Sequence, residues 1–220
     1  MIEIKQWEDI KAEFSDTLIV GNGGSIAISS DFSYNKLYQW GKNNRYIKEN
    51  AQGIFEHFSA DKRDFERVLY KLNQADYVNK KVKITDSECK KVRKAYTDVR
   101  RSLIDTVIGL HPEQASVEKD IHLIKQYLLN FKIIFSLNYD LLVYWAAQER
   151  IDVTDLFLDG FSLKDNVKNS TSLLFDETSF ATIAGKNVQL YFPHGNLLLY
   201  NTKSDDEKKI TITSFPRSAW

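Results

Sequence analysis

Two kinds of apolar pattern alternate along the chain: short compact runs bounded by glycine, proline or polar residues, and long stretches with apolar residues three and four positions apart. The first kind reads as strand and the second as amphipathic helix. A helix is predicted over about Gln6–Phe14, and Thr17–Val20 (TLIV) is then a buried apolar strand. Gly21-Asn22-Gly23-Gly24-Ser25-Ile26 follows it at once, and helical character returns from Phe32 to about Asn43. Residues 45–130 read almost entirely as helix. Asp61 is a good N-cap for a helix with Phe65, Val68, Leu69 and Leu72 behind it. Thr85-Asp86-Ser87-Glu88 has the form of a capping box and opens a long helix. Its stripe is Val92, Ala95, Tyr96, Val99, Leu103, Thr106 and Leu110, and His111-Pro112 stops it. Ser116 caps a further helix with Val117, Ile121, Ile124 and Leu128 on one face.

The pattern changes at Phe131. Phe131–Phe135 (FKIIF) is a compact strand, Ser136-Leu137-Asn138-Tyr139-Asp140 follows, and Leu141 to about Gln148 is helical. Further strands are predicted at Asp155–Leu158, Ser172–Phe175, Val188–Phe192, Leu197–Tyr200 and Lys209–Thr213, with Lys203–Lys209 (KSDDEKK) as a charged turn. Strand, glycine loop, helical block and strand-rich half together predict an α/β fold. Its core takes residues 1–44 and 131–220, and a helical insertion takes 45–130.

Composition narrows the function classes. The chain has 220 residues, enough for one large domain or a domain with an insertion. Thirty Lys and Arg balance thirty Asp and Glu, so the overall charge favours neither nucleic acid nor an anionic membrane. The single cysteine, Cys89, can form no internal disulfide and no four-cysteine zinc site. No apolar run approaches the roughly 18 residues that span a bilayer, and the charged, helical N-terminus is no signal peptide. A cytoplasmic location is expected. Lys80–Arg101 holds nine Lys or Arg against three acids. It reads as the solvated face of a helix, with contact to nucleic acid or an acidic partner as the alternative.

Three segments carry candidate chemistry, each at the end of a predicted strand. Gly21–Ser25 can bring backbone N–H groups close to a phosphate, although strand-to-helix turns also use glycine for their own geometry. Asn138 and Asp140 stand where ligands bind in open α/β sheets, and an amide with a carboxylate can fix ribose hydroxyls. The same pair also suits a helix N-cap followed by an acid in the first turn. His194, between Pro193 and Gly195 in Tyr191-Phe192-Pro193-His194-Gly195-Asn196, can accept a proton near neutral pH or simply bond to the backbone of its turn.

The order of the three segments resembles the sirtuin superfamily: a Gly-Ala-Gly-x-Ser loop, an Asn-x-Asp after a central strand, and a catalytic His followed by Gly. Asp31-Phe32 is similar to the Asp-Phe of the sirtuin cofactor loop. The chain also resembles a family of bacterial SIR2-like proteins, domain of unknown function 4917, whose members look like GNGFSI…FSY…L, NYDLLxYW and HGxLxLY. The matching stretches here are Gly21–Ile26, Phe32–Tyr34, Asn138–Trp145 and His194–Tyr200.

The resemblance implies a Rossmann-like parallel sheet that binds NAD+ as substrate, with no metal. It implies Gly21, Asn22, Gly23, Gly24 and Ser25 at the diphosphate, and Asp31 and Phe32 over the nicotinamide end. Asn138 and Asp140 would meet the ribose and nicotinamide side, with His194 as general base. Cleavage of the nicotinamide–ribose bond needs a held sugar, a dry pocket and a base, which these residue types can supply. Deacetylase sirtuins carry a four-cysteine zinc module, and one cysteine does not make one. That departure implies the zinc-free SIR2-like NADases of bacterial anti-phage defence, in which a helical block replaces the module. Only 26 residues follow His194, fewer than sirtuins use to hold the adenosine half. The expectation is a second protein subunit, such as the nucleotide-sensing partner of two-gene systems like Kongming, docking on Phe215 and Trp220. A non-catalytic subunit that binds a nucleotide or partner is the alternative.

Overall fold

The structure is a computed structural model, and it describes residues 6–59, 63–149, 157–162, 172–176, 180, 187–201 and 207–210. The chain begins with α1 (Trp7–Ile10), β1 (Thr17–Val20) and α2 (Asn22–Ile28), then a 3-10 turn at Ser30–Phe32. Four helices follow: α3 (Tyr34–Asn43), α4 (Glu49–Glu56), α5 (Phe65–Lys81) and α6 (Asp86–Leu110). A 3-10 turn at Gln114–Val117 leads into α7 (Glu118–Leu128), β2 (Ile133–Ser136) and α8 (Leu142–Gln148). The remaining strands are β3 (Phe157–Leu158), β4 (Phe161–Ser162), β5 (Ser172–Phe175), β6 (Val188–Tyr191), β7 (Leu199–Asn201) and β8 (Glu207–Ile210). Among the described residues no helix is long and apolar enough to cross a membrane. The chain divides into two compact units, Met1–Ile28 with Pro112–Trp220, and Ser29–His111.

The first unit is built on a four-stranded parallel sheet of order β1-β2-β6-β3, a Rossmann-like α/β arrangement. Thr17–Val20 pairs with Ile133–Ser136, Ile133–Phe135 with Gln189–Tyr191, and Phe157–Leu158 with Val188–Gln189, all parallel. Parallel neighbours need long crossovers: helices α2 to α7 lie between β1 and β2, whereas β4 and β5 lie between β3 and β6. Ile134, Leu190 and Val188 bury one face, and Phe135 stacks on its register partner Tyr191 at 5.1 Å. β1 departs from the buried strand its apolar run predicts. Among the described residues it has a strand partner on one side only, and Ile19 is 66% exposed. α7 belongs to this unit, and Ser116 does not cap it. A 3-10 turn precedes the helix, and the Ser116 hydroxyl bonds back to the Glu113 carbonyl.

The other predicted strands, with the unpredicted β4, form a second, antiparallel sheet of order β4-β5-β8-β7, which the alternation did not foretell. β8 covers the end of the segment read as a charged turn; residues 202–206 and 211–213 lie outside the described residues, as do Phe215 and Trp220. Lys209, on β8, is 5% exposed and paired with Asp159, with the Tyr144 and Phe161 rings each 5.3 Å from its ammonium. A buried ammonium persists only when paired in this way. Burial, and then the Asp159 charge, push the Tyr144 phenol up to about 12.

The second unit is helical. Asp61 lies outside the described residues, and the cap of α5 is Asp64, whose carboxylate accepts the Arg67 N–H at 2.5 Å. Thr85 and Glu88 open α6 with their side chains bonded to each other at 2.6 Å instead of to the backbone. Phe55, fully buried, lies between Tyr38 and Phe65 with ring centroids 5.1 and 5.0 Å away. Burying one such ring contributes about 1.5–3 kcal/mol. α3 and α6 approach closely through Gly41, beside Thr106 and Ile47, and Gly109, beside Trp40.

α5 ends in a Schellman turn, with the Ile84 N–H on the Asn79 carbonyl at 3.0 Å and Lys83 at φ 56°. A side chain in this left-handed conformation costs roughly 1–2 kcal/mol. Lys83→Gly is expected to raise stability by about 0.5–1 kcal/mol, after the entropy of an unfolded glycine is deducted. Urea unfolding measures it, and an unchanged or lower midpoint contradicts it.

Candidate functional site

Parallel strands in one sheet send their following loops to the same edge, where ligands bind in open α/β folds. β1, β2 and β6 are adjacent, so the segments after Val20, Ser136 and Tyr191 emerge side by side. The Leu137 N–H bonds the Val20 carbonyl at 2.9 Å and extends the β1–β2 pairing into the loops.

The glycine segment and the Asn138 segment meet through side chains. The Ser25 hydroxyl donates to one Asp140 carboxylate oxygen at 2.5 Å, and the Asn138 amide Nδ2 donates to Ser25 Oγ at 2.7 Å. The other Asp140 oxygen accepts the Leu142 N–H at 3.0 Å. Ser25, Asn138 and Asp140 are 1%, 5% and 4% exposed. A buried carboxylate is costly unless bonded, and here two donors and the N-terminal end of α8 offset its desolvation. Neither residue of the pair is the N-cap of α8, which is Leu141; Asp140, one position before it, accepts the first helical N–H. Asn138 serves another purpose: with Nδ2 committed to Ser25, its amide is fixed in orientation and Oδ1 is the end turned away. The Ser25 side chain belongs to this network.

The histidine segment joins the same edge. The Gly195 N–H bonds the Phe192 carbonyl at 2.9 Å, closing a turn with Pro193 in its second position. Gly195 has φ +73°, which favours glycine. His194 is exposed, and its ring stacks on Tyr139 with centroids 6.3 Å apart. The Leu197 N–H then bonds the Tyr139 carbonyl at 3.0 Å, tying the His194 loop to the Asn138 loop. Gly21 and Gly23 have neither positive φ nor any atom within 4 Å of an added Cβ, so packing requires glycine at neither. Gly24 is different: a Cβ there would meet Val20 at 3.1 Å. Asn22 is the first residue of α2.

Asp31 and Phe32 lie in the helical unit. Asp31 pairs with Lys36 at 3.0 Å, and Phe32 is 2% exposed with its ring edge-on to His111 at 5.8 Å. The end of β2 and the loop after β6 also hold two residues that sequence reasoning gave no role. Ser136 and Asn196 are 1% and 8% exposed, and Ser136 Oγ and Asn196 Nδ2 have no hydrogen-bond partner among the described residues. A period of two from Ile134 through Ser136 to Asn138 was the available signal for the first.

The sequence matches the family described as Domain of unknown function (DUF4917) over residues 18–216. The chain belongs to the DUF4917 family. The helical unit, all three loops and most of the first unit of this DUF4917 chain lie within the matched range. No curated protein matches the sequence.

Proposed function

We propose that this DUF4917 chain is a SIR2-like NAD+ glycohydrolase. The observation that carries the reading is the bonded set Ser25–Asn138–Asp140, which joins two of the three sirtuin-like segments at the carboxyl edge of one parallel sheet, with His194 on the adjoining loop. In this reading Asn138 Oδ1, oriented through Ser25 and Asp140, accepts a hydrogen bond from a ribose hydroxyl. The bond from the sugar carbon to the nicotinamide nitrogen breaks, and its electron pair leaves with nicotinamide. Water adds to that carbon, and its proton goes to His194 and then to solvent, giving nicotinamide, ADP-ribose and a proton. Stacking on Tyr139 limits the imidazole's freedom, and an exposed turn lets it exchange protons with solvent. The resemblance extends the reading to the effector subunit of a bacterial anti-phage complex. A second, nucleotide-sensing subunit switches it on, and NAD+ depletion is the outcome.

One observation favours a second reading. Ser25, Asn138 and Asp140 are deeply buried and bonded to one another, as a purely structural clasp in a non-catalytic nucleotide-binding subunit would be. Incubation of NAD+ with the protein, alone and with the product of the neighbouring gene, separates the two. Released nicotinamide is the expected result. Tight binding of NAD+ and ADP-ribose with no nicotinamide in any mixture would leave the second reading, and neither binding nor release would end both.

A further inference from the structure

The buried face of β2 changes character along its length. Ile134 and Ser136 are its buried positions and the alternation of burial continues past the strand through Asn138 and Asp140, so an apolar face becomes polar where the strand ends. Asn138 and Asp140 have partners in Ser25 and the Leu142 N–H, whereas Ser136 Oγ has none among the described residues. The loop after β6 repeats the situation. Asn196 Oδ1 accepts the Leu198 N–H at 2.8 Å, and an oxygen that accepts a backbone N–H identifies the other end of the amide as Nδ2. That donor is buried and unpartnered among the described residues. The next residue, Leu197, bonds the Tyr139 carbonyl, which holds Asn196 against the loop carrying Asn138.

A buried donor left unmade is costly, and native structures seldom keep one without a use. We infer that Asn196 is a ligand-holding residue whose Nδ2 donates to a sugar oxygen of the bound dinucleotide, with the Ser136 hydroxyl as a second polar contact. The inference rests on the dinucleotide reading above. Neutral donors suit an uncharged oxygen better than a phosphate. Residues 21–25, 137–141 and 192–198 contain no Lys or Arg, and they include the Asp140 carboxylate.

The test is calorimetry with ADP-ribose, which keeps the sugar and lacks the carboxamide, on the full-length protein. Asn196→Ser keeps a side-chain oxygen for the Leu198 N–H and removes the amide donor. Asn196→Asp keeps both oxygen positions and turns the donor into an acceptor. Both variants are expected to bind ADP-ribose at least about tenfold more weakly. The ligand-free unfolding midpoint of the serine variant should be unchanged or raised, since an unmade donor is gone. A merely structural asparagine would lower that midpoint and leave the affinity of folded protein alone. Wild-type affinity in either folded variant overturns the inference while the dinucleotide reading stands. Failure of the wild type itself to bind ADP-ribose or NAD+ overturns both.

Discussion

Replacing His194 with alanine is expected to lower nicotinamide release by about 10²–10⁴-fold, the contribution of a positioned general base, and to leave the unfolding midpoint where it is. The second half of that expectation follows from the exposure of His194 on the turn after β6, where its described contact is the Tyr139 ring. Its removal leaves no buried polar atom behind. Asn138→Ala contrasts with it. Turnover should fall comparably, because the proposed sugar acceptor is gone, but stability should fall too. Ser25 Oγ loses its donor in a setting 1% exposed, at a cost of about 1–3 kcal/mol. Nicotinamide release and urea unfolding, measured on the same preparations, give both coordinates. Near wild-type turnover in His194→Ala would remove the histidine from the mechanism.

The sheet edge was legible because strand ends are. FKIIF and VQLYF are compact apolar runs with an abrupt polar continuation, and such a run can only end where the residues that follow leave the sheet. Three such ends in parallel neighbours then lie together by topology alone. Capping was legible to within one turn: the acid at residue 64 took the role given to residue 61, since the bond is decided by local backbone angles that spacing does not encode. What remained hidden depends on partners distant in sequence. β4 has two residues, too few to leave a period, and it shows as a strand only through its pairing with β5. Lys209 sits in KSDDEKK, a string that reads as solvated until Asp159 and two aromatic rings enclose one of its ammonium groups. The bond from the Ser25 hydroxyl to a carboxylate 115 residues away leaves no trace in the spacing of the glycine loop. Asn196 carried no signal at all, because an unmade hydrogen bond exists only in three dimensions.

Gly109→Ala is expected to destabilise the helical unit by about 1–3 kcal/mol, against the direction of helix propensity, which favours alanine by about 1 kcal/mol. Gly109 stands in the last turn of α6, and a Cβ there would fall 1.8 Å from Cη2 of Trp40 and 2.6 Å from Cζ2 and Cζ3. Those are the rigid atoms of an indole, with no flexible end to swing aside. The ring is also engaged with Tyr46 at 5.3 Å, so moving it disturbs a second contact. Gly53 in α4 provides the control within the same unit: nothing lies within 4 Å of an added Cβ and its φ is not positive. Gly53→Ala should therefore gain about 0.5–1 kcal/mol, as an unobstructed helical glycine does. The same chemical change in two helices of one unit thus acquires opposite signs, decided by whether an indole occupies the space. Urea unfolding of the two variants measures the difference. Equal midpoints would mean that Trp40 does not lie over Gly109, and with that contact would go the close approach of α3 and α6 on which the packing of this unit depends.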